Sequence, residues 1–304
     1  MERRSPLRTH LAVVVAALVA CRGSEHASPS PRGGAAALTV SDDAGRLVAL
    51  AHPARRIVSL SPTVTELLFA LGAGDRVVGR TAWCDYPPAA RAVPSLGDGL
   101  NPNIEAVTAR RPDLVVLYRS TLNETTARQL ERLGVAAAVL RQDRLEDVAR
   151  GARLLGRLTG RAAAGDSIAR LLESILSALP PRPAPHARLA FVAWDNPPMV
   201  IGAGSYLDEL ARMAGGSNVF GDIAAPSATV SLETIAARDP DAIVVLADSA
   251  RAPVPAYASR PEWRTVRAVR ERRFVILPGS LFGRPGPRAA EAVAELRRRL
   301  EALP

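Results

Sequence analysis

Residues 103–118 read NIEAVTARRPDLVVLY, and residues 231–246 read SLETIAARDPDAIVVL. Six of the sixteen aligned positions are identical, and the apolar positions follow one pattern in both stretches. In each, a helix-like segment ends in Ala-Arg-x-Pro-Asp, and an apolar run with the character of a buried strand follows it. Because one helix–turn–strand unit occurs twice, the sequence predicts two lobes of similar structure.

Helix and strand patterns alternate on both sides of the two repeated stretches. Such alternation is typical of parallel α/β sheets. The longest helical pattern, residues 143–178, lies between the stretches, breaks near Thr159 and Gly160, and ends before a proline-rich connector. The predicted fold class is therefore α/β, with two lobes joined by a long helix. The N-terminal lobe, the joining helix and the C-terminal lobe are assigned to residues 38–160, 161–181 and 186–304.

Two local features of the N-terminal lobe are also predicted. A helix begins near Ser61, where Thr63 and Glu66 have the spacing of a capping box. Residues 80–102 form a long irregular segment that contains Cys84. We interpret this thiol as a semi-buried packing residue, with a reactive thiol as the alternative.

The N-terminus has the features of an export signal. Three arginines precede the apolar run of residues 11–20, which is too short to span a membrane as a mature helix. The run ends directly before Cys21, as in a bacterial lipobox, where the Cys becomes the lipidated first residue; a secretory signal with a chance Cys is the alternative. Residues 1–20 are thus predicted to be a signal peptide, and residues 21–37 a lipidated Cys with a flexible tether. Both alternatives predict export, and lipidation would anchor the protein to a membrane on its periplasmic or cell-surface side.

Composition and motifs argue against several classes of function. The net charge is +9, yet all 39 basic residues are Arg and are scattered among acidic ones, which does not favour nucleic-acid binding. The four histidines do not follow strands within the repeat pattern, so no set of ligands for a bare metal ion is predicted. No P-loop, complete dinucleotide-binding loop or serine-hydrolase elbow occurs. We therefore predict neither an enzyme nor a resident cofactor, and ATP hydrolysis would belong to a separate subunit.

Several motifs occur in a fixed order along the chain. They are RIVSLSPTVTE at residues 56–66, CDYPP at 84–88, NIE at 103–105, RPDLV at 111–115 and GGSNVF at 215–220. Together they resemble the periplasmic-binding-protein family that serves ABC importers of vitamin B12, ferric siderophores and haem, most closely its cobalamin-binding members. The resemblance covers about residues 38–302. It implies a class III fold, with two Rossmann-like lobes bridged by a rigid helix, and a monomer that hands its ligand to a permease dimer with ATPase subunits.

Candidate ligand contacts follow from strand ends and from this resemblance. Tyr118 and Trp194 lie at the C-terminal ends of predicted strands, where α/β folds bind ligands, and a corrin favours aromatic walls. Core packing is the alternative for these rings, and it is the one we favour for Trp263. Tyr118 stands where cobalamin binders often have Trp. The expected ligand contacts are Trp83, Tyr86, Tyr118, Trp194, Met199, Phe282 and Arg284.

The two glutamates of the repeated stretches form a second candidate site. Glu105 and Glu233 occupy the same place in the first turn of their helices, where a carboxylate favours the helix dipole by ~0.3–1 kcal/mol. The resemblance implies another role, in which the matching glutamates dock into arginine pockets of the permease. Charge pairs of that kind set orientation and association rate.

The sequence therefore predicts a lipid-anchored substrate-binding protein that captures a corrinoid and delivers it to a permease. The nearest alternative is a ferric siderophore or haem as ligand, with Arg80, Arg119 and Arg284 available to face an anionic chelate. Two further alternatives are a chelatase-like enzyme on a related bilobed fold and a sensory lipoprotein without an importer.

Overall fold

The computed structural model describes residues 38–177, 187–247 and 254–303. The predicted signal peptide, Cys21 and the tether lie outside the described residues, as does the end of the predicted joining helix. None of the helices in these ranges has the length and hydrophobicity of a transmembrane span.

The N-terminal lobe is built around a four-stranded parallel sheet. Its strands and the hairpin before them are β1 (Leu38–Ser41), β2 (Leu47–Leu50), β3 (Ile57–Leu60), β4 (Val77–Arg80), β5 (Leu114–Tyr118) and β6 (Ala136–Leu140). Its helices are α1 (Pro62–Ala70), α2 (Ile104–Thr108) and α3 (Thr121–Arg132). The sheet order is β4-β3-β5-β6, and β1 pairs with β2 as a separate hairpin. Strands β3, β5 and β6 are buried along nearly their whole length, as expected of a parallel sheet covered on both faces.

The long helical pattern folds as two helices, α4 (Leu145–Leu158) and α5 (Ala162–Ser177). Gly160 lies between them with φ of +68°, a left-handed conformation that ends a helix at little cost for Gly. The two helices pack backbone against backbone, because a Cβ added to Gly165 would lie 2.5 Å from the carbonyl oxygen of Ala152. Helix α5 coincides with the predicted joining helix as far as Ser177, the last residue described there.

The C-terminal lobe contains a larger, mixed sheet. Its strands are β7 (Ala187–Asp195), β8 (Pro198–Ile201), β9 (Gly216–Asn218), β10 (Ser227–Thr229), β11 (Ala242–Ala247) and β12 (Phe274–Pro278). Its helices are α6 (Tyr206–Met213), α7 (Leu232–Arg238), α8 (Arg267–Arg270), α9 (Gly279–Phe282) and α10 (Ala289–Glu301). Strands β9, β7, β11 and β12 run parallel, and β8 and β10 extend the sheet antiparallel from β7. The short strands β8, β9 and β10 were not expected from the sequence.

Both copies of the repeated stretch close their lobe with the same hydrogen bonds. The carboxylate of Asp113 accepts the backbone N–H of Arg56 at 3.0 Å, and that of Asp241 accepts the backbone N–H of Arg188 at 2.8 Å. The guanidinium groups of Arg56 and Arg188 donate in turn to the last carbonyl groups after α2 and at the end of α7. Each Asp–Arg pair thus ties the helix–strand turn to the start of the neighbouring strand. The two-lobed α/β fold predicted from the repeat is confirmed, and these contacts, which were not predicted, show that the two copies also share their hydrogen bonds.

The apolar core is partly shared between the lobes. One cluster combines Leu67 of the N-terminal lobe, Leu155 and Leu172 of α4 and α5, and Phe191 and Leu210 of the C-terminal lobe. Two other clusters cover the remaining face of each sheet separately. Trp263 is almost completely buried against Tyr257 in the C-terminal cluster, which agrees with its predicted packing role. The shared cluster means that the helices α4 and α5 bind both lobes by burial of apolar surface.

The capping box predicted for α1 is wrong. Ser61, the residue before the helix, makes no side-chain cap. Thr63 donates its hydroxyl to the carbonyl oxygen of Pro285 at 2.8 Å, and Glu66 pairs with Arg284 and Arg288. Both side chains are used for contacts with the C-terminal lobe, which no local pattern reveals.

Candidate ligand-binding cleft

A cavity of about 620 Å³ lies between the two lobes. It opens where β3, β5 and β11 end, since Leu60, Tyr118 and Leu246 all line it. Ligands of α/β folds bind outside the carboxyl ends of the strands, and the volume is that of an ordinary small-molecule site. The cavity is therefore the candidate ligand-binding cleft.

Three of the expected ligand contacts line this cavity, namely Trp83, Tyr118 and Arg284. The Trp83 side chain stands at the mouth and is 63% exposed. Trp194 is 61% exposed and borders a second depression, of about 250 Å³, which shares Leu246 with the main cavity. An aromatic ring in each lobe is thus free to contact a ligand.

The other three expected contacts lie elsewhere. Met199 is half-buried on β8, in register with Trp194 of β7. The Tyr86 ring lies under the guanidinium of Arg288, 3.7 Å from the ring centroid, and does not line the cavity. Phe282 is completely buried in the apolar core, so its predicted ligand contact is corrected to a packing role.

Tyr118 is held by a carboxylate that also lines the cavity. Its hydroxyl donates to Oδ1 of Asp143 at 2.8 Å. Burial, and then the hydrogen bond to Asp143, raise the pKa of Tyr118 to about 12. The backbone carbonyl of Asp143 also accepts the N–H of Tyr206 from the other lobe at 2.7 Å. Tyr118 therefore presents a neutral phenol of fixed orientation to the cavity.

Gln142 is a cavity residue that sequence reasoning missed. Its amide is buried, Ser61 donates its hydroxyl to Oε1, and Nε2 has no partner among the described residues. A buried amide left half-paired is uncommon in a folded protein. Gln142 follows the C-terminal end of β6, so the strand-end rule that selected Tyr118 would have found it.

The ionised groups of the cavity are mostly carboxylates. Asp85, Asp98 and Asp143 line it, and Arg284 is the one basic residue among the described lining residues. Arg284 is already paired, because it contacts Glu66 at 2.7 Å and also Asp85. Burial lowers the pKa of Arg284, but hydrogen bonds to Asp85 and Glu66 outweigh it and raise the pKa, so the group stays charged. The free charge that faces a ligand is negative.

Comparison with known proteins places the chain in a family. Residues 57–281 match the family described as periplasmic binding protein. The chain belongs to the periplasmic binding protein family.

Three relatives show what this periplasmic binding protein is similar to. The vitamin B12-binding protein of Vibrio parahaemolyticus is 25% identical over 83% of this chain and 91% of the relative. An uncharacterized ABC transporter substrate-binding lipoprotein of Bacillus subtilis, YvrC, is 27% identical over 85% of this chain and 84% of the relative. The solved periplasmic haem-binding protein RhuT of Roseiflexus sp. RS-1 is 26% identical, with a TM-score of 0.71 over 81% of this chain and 97% of RhuT. The predicted class III fold is thereby confirmed.

The arginines that were considered for an anionic chelate do not form a cluster in this periplasmic binding protein. Arg80 donates to three carbonyl groups of the irregular segment, and Arg119 pairs with Glu124 at 3.2 Å. Neither of them lines the cavity, and Arg284 is occupied. All three guanidinium groups are therefore engaged by other protein groups and are not free to pair with a strongly anionic ligand.

Glu105 and Glu233 are both exposed, in the first turns of α2 and α7. The helix caps are made by other residues, since Asn103 accepts the N–H of Ala106 at 3.0 Å and Ser231 accepts that of Thr234 at 3.2 Å. A hydrogen bond from Ser231 lowers the pKa of Glu233. Neither glutamate has an ion-pair partner within the described ranges. Both lobes thus present a free carboxylate at the same position of the repeat.

The described part of the chain contains no ready site for a metal ion. No group of three or more His, Cys, Asp or Glu side chains there is arranged to hold a metal ion.

Cys84 is completely buried, with Sγ 3.1 Å from the hydroxyl of Thr81. This placement agrees with the packing role expected for the thiol.

Proposed function

We propose that this protein is the substrate-binding component of an ABC importer and that it binds a corrinoid in the interlobe cavity. The family, the vitamin B12-binding relative and the ABC transporter relative support the general role. The members of the family that it resembles are binding proteins, and we propose no covalent chemistry at this site.

The charge of the cavity is the observation that carries the corrinoid proposal. Asp98, Asp143 and the neutral phenol of Tyr118 line the cavity, and neither carboxylate has an ion-pair partner in the described ranges, whereas Arg284 and Asp85 are paired with each other. The amide side chains around a corrin ring are hydrogen-bond donors without negative charge, and carboxylates accept such bonds well. A ferric siderophore or haem with free carboxylates would meet like charges instead, which disfavours binding.

Exposed aromatic rings on both lobes also favour a large, flat ligand. A corrinoid is larger than the cavity itself and would extend past the mouth, where Trp83 and Trp194 are exposed. Aromatic faces bind flat ring systems with a large apolar contact area. The two rings would then hold the ligand from opposite lobes.

Anchoring and delivery complete the proposal. Lipidation at Cys21 would hold the monomer at the membrane on the side from which the ligand is captured. Glu105 and Glu233 would dock into basic pockets of a permease dimer, because both are exposed and neither has an ion-pair partner in the described structure. ATPase subunits bound to that permease would supply the energy.

Calorimetric titration of the purified protein with cyanocobalamin, haemin and a ferric siderophore tests the ligand. We expect cyanocobalamin to bind with a Kd of about 1 μM or below, near −8 kcal/mol. Trp83→Ala should weaken binding by at least about tenfold, as expected when a large aromatic contact is truncated. Leu47→Ala is the matched control, since Leu47 is an exposed apolar residue of β2 that does not line the cavity. Binding of haemin without any binding of cyanocobalamin would reject the corrinoid assignment and favour the haem alternative.

A further inference from the structure

A group of charged side chains connects the two lobes at one side of the cavity. Glu66 of α1 accepts hydrogen bonds from Arg284 at 2.7 Å and from Arg288 at 2.8 and 2.9 Å. Both arginines belong to the C-terminal lobe, and both also donate to the carbonyl oxygen of Ser280. One carboxylate of the N-terminal lobe therefore fixes two guanidinium groups of the other lobe.

This group is buried, so its contacts depend strongly on one another. The side chains of Glu66, Arg284 and Arg288 are 2%, 10% and 15% exposed. A buried charge without its partner is strongly unfavourable, which keeps such groups in one arrangement. Gly286 leaves room for the carboxylate, since a Cβ at that position would lie 3.3 Å from Oε2 of Glu66.

The far side of each arginine holds the irregular segment of the N-terminal lobe. Arg284 donates to the carbonyl oxygen of Trp83 at 2.9 Å and also contacts Asp85. Arg288 lies over the ring of Tyr86 at 3.7 Å, a cation–π contact. The segment between Trp83 and Tyr86 has no regular secondary structure, and its own backbone bonds are local. Burial of Cys84 fixes the middle of the segment, and the two arginines hold the residues on either side of it, Trp83, Asp85 and Tyr86.

We propose that Glu66 is a positioning residue, which holds the segment 83–86 in place at the cavity mouth through Arg284 and Arg288. Glu66 does not touch the ligand in this arrangement; it orients the arginines, and they orient the backbone that carries Trp83. A segment held in its bound position loses less entropy on binding. The effect on ligand residence rests on the proposed function, whereas the effect on the segment does not.

Glu209 provides a control for the loss of a buried charged contact between the lobes. Its side chain is also 2% exposed, and it also bridges the lobes, by accepting from Arg144 at 2.7 Å and from the N–H of Leu145 at 2.9 Å. None of these contacts reaches the segment 83–86. Glu66→Gln and Glu209→Gln therefore remove equally buried interlobe charges, and only the first should release the segment.

Amide hydrogen exchange and cyanocobalamin dissociation test the proposal on the full protein. In Glu66→Gln we expect exchange in peptides covering residues 81–92 to accelerate by about tenfold, equivalent to about 1.4 kcal/mol, relative to the core strands. The dissociation rate of cyanocobalamin should rise by about the same factor. Glu209→Gln should change neither quantity, even if it lowers global stability.

A second variant guards against a failure of Glu66→Gln to fold. Asp85→Asn removes the arginine contact from the segment itself, at a side chain that is 35% exposed, and should accelerate the same peptides. Unchanged exchange in a folded Glu66→Gln or Asp85→Asn protein, or equal acceleration in Glu209→Gln, would overturn the positioning role. Faster exchange in a protein that does not bind cyanocobalamin would support the positioning role and reject the corrinoid assignment.

Discussion

Gln142 offers a test in which apo stability and ligand affinity should change separately. Its Nε2 is buried without a partner in the described structure, and such a group costs about 1–3 kcal/mol of stability. Its Oε1 accepts the hydroxyl of Ser61, so changing Gln142 alone would leave that hydroxyl unpaired. Ser61 makes no helix cap, so it is free to be changed together with Gln142. The informative variant is the double substitution Ser61→Ala with Gln142→Leu.

The double variant should be at least as stable as the wild type without ligand, because removing both polar partners is nearly neutral or stabilising. Gln142→Leu alone should be less stable than the double variant by about 1 kcal/mol, since it keeps the unpaired Ser61 hydroxyl. Cyanocobalamin binding should weaken about two- to twelvefold in both, the value of one hydrogen bond of about 0.5–1.5 kcal/mol.

Urea unfolding measures the first two quantities, and calorimetric titration measures the third. A loss of more than about 2 kcal/mol in the ligand-free double variant would show that Gln142 is fully paired in the apo protein and would refute the reasoning. Unchanged affinity in both variants would show that the amide does not face the ligand.

Three further predictions follow from other contacts. Phe282→Ala should lower the free energy of unfolding, measured by urea denaturation, by about 3–5 kcal/mol, as expected for a buried ring. A small loss of stability with a large loss of affinity for the ligand would contradict its packing role. The phenol pKa of Tyr118 is raised from 10.0 to about 12 on folding, so its contribution to stability is present below pH 10 and is lost as pH rises through the folded value. Tyr118→Phe should therefore flatten the fall in the free energy of unfolding between pH 10 and 12. Equal slopes in the two proteins would argue against this shift. The double variant Glu105→Ala with Glu233→Ala should abolish stimulation of the permease-bound ATPase and leave ligand affinity unchanged. The control Glu291→Ala, at an exposed Glu in the first turn of α10, should have no effect. Normal stimulation in the double variant would disprove docking.

The fold was predictable because its main signals are local. The Ala-Arg-x-Pro-Asp turn, the apolar strands and the break at Gly160 each depend on residues close together in the chain. Strands β8, β9 and β10 escaped prediction because they are three or four residues long and owe their pairing to β7 and to one another. Segments of three residues, such as β9 and β10, carry too little periodicity to be recognised, and β8 is distinguished only by its antiparallel pairing with β7 and β10.

The site was less predictable, because its contacts join distant residues. Glu66 has the spacing of a capping group, yet its partners Arg284 and Arg288 lie more than two hundred positions later in the chain. Phe282 was selected as a ligand contact by its position in a loop before the last helix, but burial depends on what packs around it. Tyr118 was found because the strand-end rule is a property of the sheet, and Gln142 obeys the same rule.

The Asp–Arg pairs at the two repeated turns let each helix–strand turn close within its own lobe. Each turn holds its own strand through groups within its lobe. In both turns the residue before the proline has a left-handed backbone conformation, with φ of 48° at Arg111 and 42° at Asp239. A graft from a relative with another ligand would therefore keep its closing hydrogen bonds if it includes both partners, Arg56 with Asp113 or Arg188 with Asp241. A chimeric binding protein that exchanges such a unit would also have to keep the apolar cluster that the two lobes share.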